Sequence, residues 1–367
     1  MSYKKILITG GHVTPALAVI DRLQKLHSDV QIIFVGRKTA NDRETKESFE
    51  YQEIKQRKIK FINLRAGRLT RVASIRSLLQ LTNVPKGFIQ SLKILKAEKP
   101  DVVLSFGGYL AFPIALMAGL LNLPVYTHEQ TIHPGIANKM IANVARKIFI
   151  SFPESGIFFP KSKTVVTGNP VRASIFSKKT FIKDNKLPVI YITGGSLGAH
   201  AINTKIEQII GSLLRSYIII HQTGDVKEFE DYARLSKLKE SLSPEQQKNY
   251  HLYTHILGDE IGPIYNSADL VISRSGANTF FELLALQKPA IFIPLPWAAH
   301  DEQRKHARLY ANWGVGEVFE QNQTSVRLLE LITSMMKDLR IYQKKFTHVP
   351  NYFKTDATDR IIAEIYS

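Results

Sequence analysis

No cysteine occurs in the 367 residues. That absence excludes disulfides, Cys-ligated zinc and thiol catalysis. No run of about eighteen apolar residues occurs either, so no segment is expected to cross a bilayer. The opening Met1-Ser-Tyr-Lys-Lys leads straight into the apolar run Ile6–Ile8, too short a stretch for a signal peptide. Metal-binding patterns such as Asp-x-Asp or His-Glu-x-x-His are missing, which makes a metal-independent reaction the simpler expectation. Acids are scarce: Asp+Glu number 32 against Lys+Arg 49, a net charge of +17 with His neutral. With 44% hydrophobic and 22% charged residues, the chain is neither disordered nor fibrous. A cytoplasmic soluble enzyme is expected, and a length beyond one core predicts two domains of similar size.

The shortage of acids is concentrated. Residues 55–99 hold twelve Lys/Arg and a single acid, Glu98, a net charge of +11. Charge gathered in one segment points to an anionic partner. Two amphipathic patterns lie there. One sets Val72, Ile75, Leu78, Leu79 and Leu81 beside Arg68, Arg71 and Arg76; the other sets Phe88, Ile89, Leu92 and Leu95 beside Lys86, Lys93 and Lys96. Apolar stripes edged by cations suit an anionic membrane surface, where each cation adds about 1 kcal/mol. The same pattern also describes two core helices with solvated basic faces. Nucleic acid is not expected, because neither an aromatic stacking series nor a basic recognition helix accompanies the charge.

Short β-branched runs alternate with helical patterns throughout. Strands are predicted at 6–9, 30–35, 102–106, 125–127, 148–151 and 165–167, then at 189–193, 217–221, 251–254, 270–273, 290–293 and 317–319. Apolar strands spaced by helices argue for parallel sheets covered on both faces. Two such series predict an α/β protein of two Rossmann-like, doubly wound domains facing a cleft, with ligands at the carboxyl ends of the strands. The boundary is expected near Gly168-Asn-Pro170, giving domains 1–167 and 168–353, with a final helix in 354–367 packed back on the first.

Polar motifs follow the strands. The first ends in Thr9-Gly-Gly-His-Val-Thr-Pro15, where glycines admit a ligand to the backbone and His12 could take a proton from a hydroxyl. An ordinary tight turn with a capping His is the plain alternative. Phe106-Gly-Gly-Tyr109 and His128-Glu-Gln130 end two further strands; the second is either a ligand-facing set or a solvated loop. Gly194-Gly-Ser-Leu-Gly-Ala199 can hold a diphosphate through N–H groups and the Ser196 hydroxyl. Arg274-Ser-Gly-Ala277 opens a helix carrying Glu282, suited to a pair of ribose hydroxyls or to a helix cap. Pro294 to Gln303 form a polar loop fit for sugar hydroxyls. Glu228-Phe-Glu-Asp231 reads as an exposed helical acid patch.

Taken in order, these motifs, with Asn138-Lys139 and Gly168-Asn-Pro-Val-Arg172, resemble the MurG family, UDP-N-acetylglucosamine transferases of peptidoglycan synthesis. The resemblance spans nearly the whole chain and implies the GT-B fold. The activity it implies is inverting, metal-independent transfer of N-acetylglucosamine from UDP-GlcNAc to the muramoyl 4-hydroxyl of lipid I, a polyprenyl-diphosphate-linked acceptor, giving lipid II. No cofactor is implied, and the location is the cytoplasmic face of the cell membrane, held peripherally. Carried over by position, His12 becomes the general base or a ligand of the acceptor diphosphate, and Glu129 its catalytic partner. The donor falls to Thr9, Gly10, Gly11, Thr131, Arg172, Ser196, Gly258, Ala277, Asn278, Thr279, Glu282 and Gln303. Within that set Ser196 and Ala277–Thr279 take the diphosphate, Glu282 the ribose and Gln303 the sugar, while a backbone group near Leu257-Gly258 meets the uracil. Tyr109 and Asn138 would face the acceptor, and Arg68, Arg71, Ile75, Leu79 and Phe88 the anionic membrane.

Two departures from the family pattern stand out. Only Gly10-Gly11 precede His12, where the family has a longer Gly-rich loop, and Thr131 occupies a position usually held by Asn. The short loop keeps open a related GT-B transferase acting on another lipid acceptor, such as diacylglycerol or a different polyprenyl diphosphate. A non-catalytic nucleotide-sugar sensor is the reading from another class.

Overall fold

The computed structural model describes residues 3–39, 47–64, 83–182, 187–195, 198–226, 228–256, 258–350 and 356–367. The chain divides into two compact units, Met1–Arg172 with Lys354–Ser367, and Ala173–Phe353. The first unit thus keeps all of Gly168-Asn-Pro-Val-Arg172, a stretch that the sequence alone places in the second domain.

In the first unit the strands are β1 (Lys5–Thr9), β2 (Gln31–Gly36), β3 (Lys60–Asn63), β4 (Val102–Ser105), β5 (Val125–Glu129), β6 (Lys147–Ile150) and β7 (Thr164–Val166). They form one parallel sheet in the order β3-β2-β1-β4-β5-β6-β7. Helices α1 (Val13–Leu26), α2 (Phe49–Gln56), α3 (Asn83–Glu98), α4 (Gly108–Leu120) and α5 (Ile136–Val144) alternate with them. One face of the sheet sets Ile6, Ile8, Phe34 and Leu104 against Leu17, Ile20 and Leu23 of α1 and Ile361, Ile362 and Ile365 of the C-terminal helix. Its other face sets Leu7, Val35, Val103 and Val125 against Leu95, Ile114, Ala118 and Ile141. A strand covered on both faces needs an apolar residue at every position, so these strands read as unbroken apolar runs.

Strand β3 is missing from the strands that the sequence predicts. It is a four-residue edge strand with exposed ends and half-buried Phe61 and Ile62, and the surrounding cations mask its pattern. Helix α3 corrects a second expectation. Its buried face runs through Gly87, Ser91, Ile94 and Leu95, while Ile89 is 57% exposed. Ser91 tolerates burial because its hydroxyl donates to the Gly87 carbonyl at 2.7 Å. The expected stripe through Arg68, Arg71, Ile75 and Leu79 lies outside the described residues.

The second unit holds β8 (Val189–Thr193), β9 (Ile218–Gln222), β10 (Tyr250–Tyr253), β11 (Leu270–Ser273), β12 (Ala290–Phe292) and β13 (Gly316–Val318), parallel in the order β10-β9-β8-β11-β12-β13. Its helices are α6 (His200–Leu213), α7 (Asp231–Glu240), α8 (Pro244–Asn249), α9 (Ile261–Ser267), α10 (Ala277–Ala285), α11 (Glu302–Asn312), α12 (Ser325–Lys337) and α13 (Leu339–Lys344). In the segment 228–231 the acids Glu228 and Glu230 are exposed as expected, but they precede the helix; Asp231 alone departs, starting α7 in a buried position, accepting from Asn203 Nδ2 at 2.7 Å and pairing with His200 and Arg234. Helix α14 (Ala357–Tyr366) belongs to the first unit, where Asp359 pairs with Arg22 at 2.6 Å and Tyr366 stacks on His27.

Strand order reverses between β1 and β4 in the first sheet, and between β8 and β11 in the second. Such reversals open a crevice beyond the carboxyl ends of the strands, because the connections on either side lead to opposite faces. The glycine turns follow β1, β4, β8 and β11. Among the described residues no helix is long and apolar enough to cross a membrane.

Candidate active site

In the first unit the site is built on two turns that touch. The Gly11 N–H donates to the Gly107 carbonyl at 2.8 Å, linking the turn after β1 to the turn after β4. Gly10 has φ +153°, and a Cβ there would stand 2.7 Å from that of Phe106, so only glycine fits. The chain then turns into α1 with half-buried His12 at its N-cap. His12 Nδ1 lies 2.9 Å from the Phe106 carbonyl oxygen. A carbonyl only accepts, so Nδ1 carries the hydrogen and Nε2 of the neutral ring is left as a proton acceptor.

Glu129, the last residue of β5, is almost fully buried. Its Oε1 accepts from the Thr131 N–H at 2.9 Å and the Thr131 hydroxyl at 2.5 Å, and its Oε2 accepts from Asn138 Nδ2 at 2.7 Å. Thr131 therefore orients Glu129, and its hydroxyl also lies 3.1 Å from the His133 carbonyl oxygen. Asn138 closes the other side, and Gly107 makes room for it, since a Cβ there would come within 2.5 Å of Asn138 Oδ1. His128 and Gln130 are also buried, being 1% and 7% exposed, so the motif is not a solvated loop. Burial drives the His128 pKa down to about 3, and Nε2–H of the neutral ring donates to the Gly168 carbonyl at 3.3 Å. Thr9 is fully enclosed and offers no side-chain surface to a ligand. Tyr109 accepts at its hydroxyl from Arg37 Nη1 at 2.7 Å, and Phe88 packs edge-on to Phe112. Arg172, at the end of the unit, is half-buried.

In the second unit, β11 runs into Arg274-Ser-Gly276 and then α10. Gly276 is the N-cap in extended conformation, so the N–H groups of Ala277, Asn278 and Thr279 form the open first turn of a helix. Those groups and the helix dipole favour an anion. Among the described residues, Asn278 Oδ1 is buried without a hydrogen-bond partner. Glu282, one turn further in and 4% exposed, accepts from the Tyr265 hydroxyl at 3.1 Å. Arg274 supports the turn from below: its guanidinium donates to the carbonyls of Ile293 and Pro294 and to Gln321, and burial lowers its pKa to about 10.

Gln303 adjoins this turn. Its carbonyl accepts from the Ser275 hydroxyl at 2.7 Å, and its Oε1 accepts from the Leu295 N–H at 3.0 Å. The amide is thereby oriented, leaving the Nε2 donors as its other edge. Gly258 stands in open backbone with nothing within 4 Å of a would-be Cβ. Ser196 and Leu257 lie outside the described residues. Beyond them, Gly198 approaches the Thr223 carbonyl too closely for any side chain, and Asn203 donates to that same carbonyl at 3.0 Å. Tyr265, Asn203 and the Asp231 pair escape sequence reasoning, because each is recruited from an element distant in the chain. Among the described residues no group of His, Asp or Glu is arranged to hold a metal ion.

Residues 9–150 match the glycosyltransferase family 28 N-terminal domain, and residues 189–361 match the corresponding C-terminal domain. A Clostridium novyi protein named UDP-N-acetylglucosamine--N-acetylmuramyl-(pentapeptide) pyrophosphoryl-undecaprenol N-acetylglucosamine transferase is 33% identical, over 100% of this chain and 99% of its own. A Shouchella clausii protein of the same name is 31% identical over 98% and 96%. The crystal structure of Acinetobacter baumannii MurG aligns with a TM-score of 0.70 and 27% identity, covering 99% of both chains. The chain belongs to the MurG family. UDP-GlcNAc 2-epimerase of Neisseria meningitidis also aligns, with a TM-score of 0.67 but 18% identity, over 98% of both chains. That likeness shows the fold alone. Membership in the MurG family accounts for the two glycosyltransferase domains.

Proposed function

We propose that this MurG-family chain transfers N-acetylglucosamine from UDP-GlcNAc to the 4-hydroxyl of the muramoyl sugar in lipid I, forming lipid II. The observation that carries the chemistry is His12: with Nδ1 donating to the Phe106 carbonyl at 2.9 Å, Nε2 is left to take the hydroxyl proton. The oxygen then attacks the anomeric carbon as the bond to UDP breaks, and attack opposite the leaving group inverts that centre. Glu129, fixed by Thr131 and Asn138, supports the acceptor side, where Tyr109 also belongs.

Charge developing on the departing diphosphate is offset by fixed donors. The first-turn N–H groups at Ala277, Asn278 and Thr279 supply them in the second unit, with Ser196 and Arg172 assigned to the same nucleotide. Glu282 takes the ribose hydroxyls, Gln303 the sugar hydroxyls and Gly258 the uracil edge. Gly10 and Gly11 leave room for the donor, and no cofactor enters the scheme. The basic segment, with exposed Lys86, Lys93 and Ile89 beside Phe88, contacts an anionic membrane surface on the cytoplasmic side.

An acceptor panel tests this reading. Labelled UDP-GlcNAc is offered with a short-chain lipid I analogue, another polyprenyl diphosphate and diacylglycerol. Product from lipid I, with an inverted linkage by NMR, is expected. Product from diacylglycerol alone would replace the acceptor assignment. Tight UDP-GlcNAc binding without turnover on any acceptor would favour a sensor. Sedimentation with phosphatidylglycerol vesicles, falling as salt rises, checks the membrane contact.

A further inference from the structure

We propose that the Trp297 indole is the stacking platform for the sugar ring of the donor; this rests on the reading that Gln303 faces that sugar. Among the described residues Trp297 is the most open aromatic side chain, 73% exposed, with Phe176 next at 45%. An exposed indole offers a flat, amphipathic face that a partly apolar ligand can cover. Its position says which. Trp297 is two residues beyond Leu295, whose N–H is bonded to Gln303 Oε1 at 3.0 Å. Two residues of backbone reach at most about 7 Å, so the Trp297 backbone is tethered to the same short stretch that holds the Gln303 amide.

The loop that carries both groups is held firmly. Arg274 Nη1 binds the carbonyls of Ile293 and Pro294 at one end. At the other, Ser275 binds the Gln303 carbonyl, and His306 Nδ1 binds the Ser275 carbonyl at 2.9 Å. Between them His300 and Asp301 both sit at φ 56°, a left-handed conformation that non-glycine residues keep only where surrounding contacts impose it. Arg304 pins Asp301 at 3.2 Å. The exposed indole is thus presented on a braced loop beside the turn that opens α10.

The pairing of an amide edge and an aromatic face suits a pyranose. Such a ring has a rim of hydroxyls and an apolar face of C–H bonds. The Gln303 Nε2 donors match the rim, and a flat indole matches the face with little side-chain entropy to lose.

The test measures binding of UDP-GlcNAc and of UDP to the full chain by calorimetry, for wild type, Trp297→Ala and Trp297→Phe. Loss of the platform should raise the Kd for UDP-GlcNAc about fivefold and leave that for UDP within about twofold. Trp297→Phe should fall between. Fluorescence gives an independent readout, because the chain has two tryptophans and Trp313 is half-buried beside Phe280. UDP-GlcNAc, but not UDP, should shift wild-type emission to shorter wavelength, and the shift should vanish in Trp297→Phe. Equal weakening for both ligands, or no weakening with an unmoved spectrum, overturns the platform. If wild type binds UDP-GlcNAc and turns over while the variants match it, only the platform fails. If wild type does not bind UDP-GlcNAc, the donor reading fails and takes the platform with it.

Discussion

The two units place glycine turns at the same point of similar sheets, yet fill them with different chemistry. After β1 the first unit presents His12, whose tautomer is set by a backbone carbonyl, and holds the Glu129 carboxylate with three donors from Thr131 and Asn138. After β11 the second unit presents backbone N–H groups at the start of α10, with Glu282 anchored by Tyr265. In the proposed reaction the side chains of the first unit serve an incoming hydroxyl, and the fixed dipoles of the second serve a leaving diphosphate, whose charge they meet without rearranging. On that proposal, similar folds divide the labour by which side chains stand at the switch point.

The sharpest way to break this division is His12→Ala. Its kcat should fall about 10²- to 10⁴-fold while the Kd for UDP-GlcNAc stays unchanged. An equal loss in donor binding would erase the distinction between the units. Next in size is a pH effect confined to the first unit. Glu50 accepts from the Arg37 N–H, but burial pushes its pKa up to about 7. A raised folded pKa means stability present below the ordinary value of 4.5 and lost as pH rises through about 7, a loss of ~3 kcal/mol. Denaturation by urea at pH 5 and pH 8 should show that loss in wild type and not in Glu50→Gln.

Glu282→Ala should weaken UDP-GlcNAc binding roughly 10- to 100-fold with a smaller change in kcat, and Tyr265→Phe should reproduce a fraction of it. A kcat defect as large as that of His12→Ala would contradict a binding role. Smallest of all, Thr131→Val removes one hydroxyl from Glu129, which should cost about 1 kcal/mol and lower kcat a few-fold without changing donor affinity. Thr131→Asn, restoring an amide, should recover part of it in the same kinetic assay.

Much of this architecture is legible in the chain because buried parallel strands write themselves as apolar runs. β8 and β11 can be read residue for residue. β3 is not legible, since two apolar residues between Lys60 and Asn63 give too short a signal. The polar motifs mark where the sites are but not which way their side chains turn. His128-Glu-Gln130 faces inward because β5 extends through Glu129, and only the fold brings Asn138 and Thr131 onto that carboxylate. Likewise Tyr265 meets Glu282 from another helix, a pairing no local pattern announces. Trp297 is plain in the sequence, but its exposure and the Leu295–Gln303 bond two residues away are not.

One measurement bears most directly on the assignment of proton transfer to the first unit. Labelled N-acetylglucosamine transfer to a short-chain lipid I analogue is followed for wild type and His12→Ala, with UDP-GlcNAc binding measured on the same samples. Turnover by wild type, a kcat loss of at least about 10²-fold in the variant and equal donor affinity are expected. Turnover by His12→Ala at the wild-type rate would contradict it and move the base elsewhere.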